Sequence, residues 1–195
     1  MDPFEIPREF VEAMENCRFR GRNEVLRTEK ITFFLDCAHT PQSLELCAKW
    51  YAACTDQSSS TTRALLFYCS GTKDPARFIQ QLLEGPGFSY ALFCPPLAFT
   101  DVENAETQFH DPKKNLVFQV DKCAQAHEAW LGLEGAQGTP SRRFDAVADA
   151  IDWLTAEHER QRGAGKLELL VTGSLYLVGA AFDVLETRGL LEEEL

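Results

Sequence analysis

The stretch Phe33-Phe34-Leu35-Asp36-Cys37-Ala38-His39-Thr40-Pro41 decides the fold of this 195-residue chain. Its apolar first part is typical of a buried strand, and Asp36 marks the point where that strand ends. Thr40 and Pro41 suit the N-cap and the first position of a helix. Because ligands of open α/β sheets bind outside the carboxyl ends of the strands, Asp36 and His39 are candidates for ligand contact or chemistry.

Similar apolar runs recur along the chain, and helical patterns separate them. Buried parallel strands are predicted at 64–69, 88–94 and 167–172, a very short strand at 142–144, and a hairpin at 24–27 and 31–35. The alternation predicts an α/β fold: a Rossmann-like, mostly parallel sheet with helices on both faces and an antiparallel N-terminal edge hairpin. The strand ends then meet at one edge of the sheet, which brings together Asp36, Ser70, Pro95 and Gly173.

The length predicts one main domain with short flanking segments. Residues 1–15 are predicted to form an arm or a short amphipathic helix, 16–188 the domain, and 189–195 an acidic tail. Residues 97–114 are polar and acidic and are predicted to form a long surface loop, with a helix following from Asp121.

Composition excludes several classes of function. The net charge of −11 argues against a nucleic-acid surface, which needs clustered cations. No apolar run approaches the ~18 residues of a membrane helix. The start carries neither a secretory signal nor an Arg-rich transit peptide, which favours a cytoplasmic location and leaves a mitochondrial form open. The seven Cys include Cys47, Cys54, Cys69 and Cys94 in apolar runs and form no CxxC pair, which predicts reduced core thiols and no metal site.

Common enzyme signatures are absent from this sequence. Gly165-Lys166 is followed by Leu167, so the chain contains no P-loop GxxxxGK[ST], and neither GxGxxG nor GxSxG occurs. Cys69 ends a strand but is interpreted as a structural thiol. His110, His127 and His158 show no ligand spacing and are also interpreted as structural.

Six residues remain as candidates. Asp36 and His39 lie within one turn: a carboxylate can bind ribose hydroxyls or position a cation, and a protonated imidazole can face a phosphate. The alternative is that Asp36 only ends a strand and His39 is a surface residue. Arg22 lies at the entry to the hairpin, and its guanidinium matches the geometry of a phosphate.

The other three candidates lie at neighbouring strand ends. Lys73 and Asp74 follow the strand at 64–69, and Ser174 follows the strand at 167–172. Their structural interpretations are a solvated Lys and two helix N-caps. Their functional interpretation is that they line a phosphate-binding edge.

Five blocks, taken in order, resemble the C-terminal domain of folylpolyglutamate synthase, a Mur-type ATP-dependent amide ligase. The blocks are Gly21-Arg22, Leu35 to Pro41, Gly71 to Pro75, Phe93 to Pro95, and Val171 to Tyr176. The resemblance runs from about Phe10 to Leu185, and Asp-x-Ala-His-Thr-Pro and Thr-Gly-Ser-Leu-Tyr are its most specific parts.

The resemblance implies a reaction and its partners. ATP phosphorylates the terminal carboxylate of a reduced folate, and L-glutamate attacks the acyl phosphate, which releases ADP and phosphate. A separate N-terminal domain, absent from this chain, carries the P-loop and the Mg²⁺ site, so this chain alone is expected to be inactive. By position, Arg22, Asp36 and His39 contact the nucleotide and the reacting phosphate, and Ser174 lines the cleft.

The chain departs from the family pattern at Arg20, Cys37 and Lys73. Cys37 replaces a common Gly and would be strained if its φ were positive, and Lys73 replaces an Arg. The alternatives are a dihydrofolate synthase or another Mur-type ligase, and a non-catalytic module that binds a nucleotide or a partner.

Overall fold

The structure is a computed structural model that describes residues 6–17, 19–56, 58, 60–71, 73–100, 112–161 and 165–191, with only the backbone described at 112–115. Residues 1–5 of the predicted arm, residues 101–111 of the predicted loop, His110 and residues 192–195 of the predicted tail lie outside this description.

Within the described residues, six strands form a single sheet in the order β1-β2-β6-β3-β4-β5. The strands are β1 Glu24–Arg27, β2 Thr32–Leu35, β3 Thr62–Phe67, β4 Tyr90–Phe93, β5 Ser141–Arg143 and β6 Leu167–Thr172. β1 pairs with β2 in antiparallel fashion, and all the other pairs are parallel. The predicted fold class is therefore confirmed, including its edge hairpin.

Helices cover both faces of the sheet. The helices on the two faces are α2 Pro41–Cys54, α3 Pro75–Leu83, α4 Pro112–Gly132, α5 Val147–Gln161 and α6 Leu175–Thr187, with a short 3-10 turn at Glu134–Ala136. A further helix, α1 Arg8–Glu15, precedes the sheet in the chain. One core lies between the sheet and α5 and α6, and the other lies between the sheet and α2, α3 and α4. The side chains of β6 alternate between the two cores: Leu169 and Val171 enter the first and Leu170 the second. The parallel strands are buried on both faces, which is why they are continuously apolar.

Two sequence predictions about the helices on the face covered by α2, α3 and α4 are wrong. Helix α4 begins at Pro112 rather than Asp121, so residues 112–114 are not part of a loop. Exposed apolar side chains such as Val117 and Phe118 obscure the periodicity of its amino-terminal half. Cys54 is exposed, because it is the last residue of α2 and the chain turns away at Thr55.

Helix α1 lies within the segment predicted to form an arm or a short amphipathic helix, and it has no buried residue. Its apolar side chains Phe10 and Met14 are 62% and 75% exposed. In the described part of the chain, none of the helices has the length and apolar character needed to span a bilayer.

The strand register aligns the carboxyl ends of β2, β6 and β3. Leu35 pairs with Val171, which in turn pairs with Leu66. The parallel pairing continues one residue beyond β2, where the Asp36 N–H donates to the Val171 carbonyl at 3.1 Å. Asp36 therefore leaves the sheet at the level where β6 and β3 also end.

Candidate functional site

The candidate site starts with a tight loop, residues 19–23, that lies over the end of β2. The Arg22 N–H donates to the Phe19 carbonyl at 3.1 Å, and the Cys37 N–H donates to the Gly21 carbonyl at 2.8 Å. Gly21 has φ +72°, and a Cβ at this position would lie 2.8 Å from Cγ1 of Val178. Only glycine fits here, because the position combines a left-handed backbone with close packing.

Asp36 connects this loop to the strand through both of its carboxylate oxygens. Oδ1 accepts from the Ala38 N–H at 2.9 Å, and Oδ2 accepts from the Asn23 N–H at 2.9 Å. The residue is only 6% exposed. Asn23 is the non-glycine residue with a positive φ, 49°, in the described chain, so Cys37 does not carry the strain considered from the sequence.

Arg22 is exposed, and its guanidinium has neither a hydrogen bond nor an ion pair within the described residues. The neighbouring Arg20 differs, since it lies 3.8 Å from Glu24 and over the ring of Phe182 at 5.1 Å. The backbone of the loop is therefore fixed while one cation on it remains available to a ligand.

His39 is exposed at the start of the turn into α2. Its Nδ1 lies 2.9 Å from the Cys37 carbonyl. A carbonyl oxygen only accepts, so Nδ1 carries the proton. Nε2 is then the nitrogen that can meet a ligand, and it donates a hydrogen bond only when the imidazole is protonated.

Lys73, in the loop after β3, contacts the loop that follows β2. Its Nζ donates to the His39 carbonyl at 2.7 Å and lies 5.9 Å from the centre of the Phe78 ring. The loops that follow β2 and β3 are therefore in direct contact, although β6 lies between these two strands in the sheet.

Asp74 and Ser174 occupy N-cap positions, as their structural interpretation proposed. Asp74 Oδ1 accepts from the Ala76 N–H at 3.0 Å, and Ser174 Oγ accepts from the Tyr176 N–H at 3.2 Å. Asp74 is exposed, whereas Ser174 is 2% exposed. Thr40 caps α2 through the Ser43 N–H in the same way.

The structure thus brings Arg22, Asp36, His39, Lys73 and Asp74 to one edge through connected loops, and Ser174 follows β6, the strand between β2 and β3. The sequence analysis did not identify Asn23, or the close approach of the Gly21 backbone to Val178. A residue order of Gly-Arg-Asn before a strand was the available signal, because Gly and Asn tolerate the left-handed region.

Metal and thiol chemistry have little support at this edge. Among the described residues, no group of three or more His, Cys, Asp and Glu side chains could hold a metal ion. Burial raises the pKa of Cys37 and of Cys69 to about 11, which keeps both thiols protonated at neutral pH. Cys69 is buried, in agreement with its interpretation as a structural thiol.

Two cavities lie at the opposite, amino-terminal edge of the sheet. One of about 380 Å³ lies between the hairpin turn, α5 and the end of α6, and is lined in part by Lys30, Ile151 and Arg188. The other, about 230 Å³, is lined in part by Tyr90 and His158. His158 contacts Thr62 Oγ1 and the Gly165 carbonyl, so it has structural partners.

The fold and the polar edge define a Rossmann-like α/β domain whose candidate site faces outward from the carboxyl ends of its strands. Comparison with known proteins identifies the relatives of this domain. No family model matches the chain. A folylpolyglutamate synthase of Neurospora crassa is 28% identical over 193 residues, which include 91% of this chain and 35% of that protein. The mitochondrial folylpolyglutamate synthase of Cricetulus griseus is 26% identical over 236 residues, with 89% and 39% covered.

Solved structures share the fold. Mycobacterium tuberculosis folylpolyglutamate synthase, complexed with ADP and AMPPCP, has a TM-score of 0.58 and 19% identity over 92% of this chain and 35% of that one. E. coli FolC, in complex with DHPP and ADP, has a TM-score of 0.59 and 15% identity over 95% and 36%. The resemblance to folylpolyglutamate synthase, an ATP-dependent ligase, is therefore confirmed. The chain spans little more than a third of the length of these relatives.

Proposed function

We propose that this chain is the nucleotide-closing C-terminal domain of a folylpolyglutamate synthase. The observation that carries the proposal is the carboxyl edge of the sheet, where Arg22 and His39 present unpaired nitrogen atoms on loops that hydrogen bonds hold in place. The sequence relationship to folylpolyglutamate synthases supports the choice of reaction.

In this proposal the reaction has two steps. The terminal carboxylate of a reduced folate attacks the γ-phosphorus of ATP, which forms an acyl phosphate and releases ADP. The amine of L-glutamate then attacks the acyl carbon, an amide bond forms, and phosphate leaves. Both steps move negative charge onto phosphate oxygens, which is the charge that cations fixed in advance stabilise.

Each candidate residue has a role in the proposal. Arg22 binds phosphate oxygens with its guanidinium fork. His39 donates from Nε2 to a phosphate oxygen when the ring is an imidazolium. Lys73 holds the turn at His39 and adds positive charge.

The two N-caps and Asp36 line the same edge. Asp74 and Ser174 fix the starts of α3 and α6, and Ser174 borders the cleft. The oxygens of Asp36 retain lone pairs for ribose hydroxyls after they accept two N–H groups. Mg²⁺ and the P-loop belong to a second domain, and this chain is inactive without it.

The proposal also covers organisation and location. Residues 16–188 form the ligase domain, 1–15 the preceding arm and 189–195 the acidic tail. The partners are ATP, a reduced folate, L-glutamate and the P-loop domain, and the location is the cytoplasm, with a mitochondrial form as the alternative. An acceptor of the dihydrofolate synthase type leaves the same edge in use, since the nucleotide is common to both reactions.

Nucleotide binding tests the proposal directly. ADP titrated into the ¹⁵N-labelled chain is expected to shift the amide signals of residues 19–23 and 36–40. NMR suits this test because it measures millimolar dissociation constants. Arg22→Ala removes a charge-assisted contact worth about 1.5–3 kcal/mol, so the dissociation constant is expected to rise at least tenfold.

Lys30→Ala provides the matched control, because Lys30 is an exposed cation at the opposite edge. Its ADP affinity is expected to equal that of the wild type. Equal weakening by both variants would show only general charge attraction. Shifts confined to the amino-terminal cavities, or none in the presence of a P-loop domain, would favour the non-catalytic module.

A further inference from the structure

We infer that Asp36 is a positioning residue, which keeps Arg22 in its phosphate-binding place by fastening the loop of residues 19–23 to the end of β2. This inference rests on the proposed function, because it takes Arg22 as the phosphate ligand. Most of the effect of Asp36 on nucleotide binding then comes from the position it gives to Arg22, and less of it comes from any contact of its own with the nucleotide.

The hydrogen bonds of Asp36 support this assignment. One carboxylate oxygen accepts from Ala38, within its own turn, and the other accepts from Asn23, thirteen residues earlier. Asp36 itself remains in the sheet through its N–H, which donates to Val171. The side chain therefore links a fixed strand to the residue that directly follows Arg22.

The loop needs such a fastening because its backbone is in an uncommon conformation. Gly21 and Asn23 flank Arg22, and both have positive φ angles, +72° and 49°. The left-handed conformation is free for glycine and carries a cost for a residue with a Cβ, which is smaller for Asn than for most residues. The charge-assisted bond from the Asn23 N–H to Asp36 offsets that cost in the folded chain.

Other contacts hold the loop backbone at Gly21, and the Arg22 N–H donates to the Phe19 carbonyl at 3.1 Å. The Gly21 carbonyl accepts from the Cys37 N–H, and the Gly21 N–H donates to Glu24 Oε2 at 2.7 Å. The arginine side chain has no partner of its own among the described residues. The direction of the Arg22 side chain consequently depends on the backbone hydrogen bonds before and after this residue. The bond that follows Arg22 is the one from the Asn23 N–H to Asp36.

Hydrogen exchange of single amides tests the fastening without any nucleotide. In Asp36→Ala the Asn23 amide is expected to exchange at least about tenfold faster. The Cys37 amide, which bonds to Gly21 and does not touch the Asp36 side chain, is expected to lose protection as well. The amide of position 36, bonded to Val171, reports whether β2 remains paired. If the Cys37 amide keeps its protection while β2 is intact, the inference is wrong.

A double-mutant cycle tests the action through Arg22. Asp36→Asn, the milder variant, can accept only one of the two N–H bonds at a time. It is expected to weaken ADP binding about tenfold in the wild-type background and less than about twofold in the Arg22→Ala background. Equal losses in both backgrounds would show that Asp36 acts through its own contact with the nucleotide and not through Arg22, which would overturn the inference.

The two experiments separate the possible failures. If Arg22→Ala leaves ADP affinity unchanged, the proposed function fails, and the exchange measurement still decides whether Asp36 fastens the loop. If Arg22→Ala weakens binding and Asp36→Asn does not, the positioning role fails while the proposed function stands.

Discussion

The two edges of the sheet use their charged residues in opposite ways. At the amino-terminal edge the charges pair within the protein: Lys166 with Asp56 at 2.6 Å and Lys30 with Glu159 at 2.8 Å. At the carboxyl edge Arg22 and the Nε2 of His39 have no such partner within the described chain, although backbone hydrogen bonds hold the loops that carry them. A charged side chain that is already in an ion pair is not available to bind a ligand. The carboxyl edge is therefore the candidate for ligand binding, even though both described cavities lie at the other edge.

This difference agrees with a domain that forms one side of a cleft. A cavity within one domain is enclosed by that domain alone, whereas a surface that closes on a second domain is open until the second domain is present. The amino-terminal cavity of about 380 Å³ is flanked by the Lys30–Glu159 and Arg188–Asp152 pairs. These four lining charges already have partners, which is typical of a structural gap.

The largest expected effect is at Gly173, where the carboxyl edge is most tightly packed. Gly173 has φ +99°, and a Cβ there would overlap the Tyr68 carbonyl and lie 2.6 Å from the Phe67 ring. Gly173→Ala is therefore expected to lower the free energy of unfolding by about 3 kcal/mol or more, measured by urea denaturation.

Gly71→Ala is the matched control on the same edge. Gly71 has φ +76°, but a Cβ added there would meet no atom within 4 Å, so only the backbone cost applies, about 1–2 kcal/mol. Similar losses in the two variants would contradict the close approach of β6 to β3 at this edge.

The next effect concerns a buried carboxylate at the amino-terminal edge. Glu168 is 4% exposed and accepts from the Thr55 hydroxyl and, at 3.1 Å, from the Asp56 N–H. Glu168→Gln is expected to lower the free energy of unfolding by about 1–3 kcal/mol, because glutamine has one acceptor oxygen in place of two and one of the two bonds is lost.

The same variant sharpens the comparison between the edges. Where it is folded, Glu168→Gln is expected to bind ADP as the wild type does, because Glu168 belongs to the structural edge. A loss of ADP affinity without a loss of stability would show that the two edges are not independent.

The smallest effect is expected at the surface pair of Lys30 and Glu159. The hydrogen bond from Lys30, and then its charge, lower the pKa of the Glu159 carboxyl. Because this pKa is lowered in the folded chain, the contribution to stability is present above the unfolded pKa and is lost as the pH falls through the folded value. Lys30→Ala is expected to return the Glu159 pKa to its ordinary range, measured by NMR titration.

Stability itself is expected to stay unchanged within error in this variant, since both side chains are exposed. An unchanged Glu159 titration would show that the pair is absent in solution.

Much of the fold was predictable because it depends on local pattern. Buried parallel strands are continuously apolar, and the N-caps Thr40, Asp74 and Ser174 precede their helices as capping chemistry predicts. Helix α4 was misplaced because its amino-terminal half exposes apolar side chains, so periodicity could not reveal it.

The candidate residues could also be found from the sequence, but their contacts could not. The bond from Asn23 to Asp36 joins residues thirteen positions apart, and it depends on the turn that Gly21 allows. The Lys73 contact with the His39 carbonyl joins the loops after β2 and β3, which flank β6, so it depends on the strand order of the sheet. Such relations are set by tertiary packing and have no local signature.

The most direct test of the central claim is ADP release from ATP in the presence of tetrahydrofolate and L-glutamate. We predict no turnover by this chain alone, turnover when a matching P-loop domain is added, and a loss of that turnover with Arg22→Ala but not with Lys30→Ala. Turnover by the chain alone, or complemented turnover that is indifferent to Arg22, would contradict the assignment of the carboxyl edge as one side of a two-domain cleft.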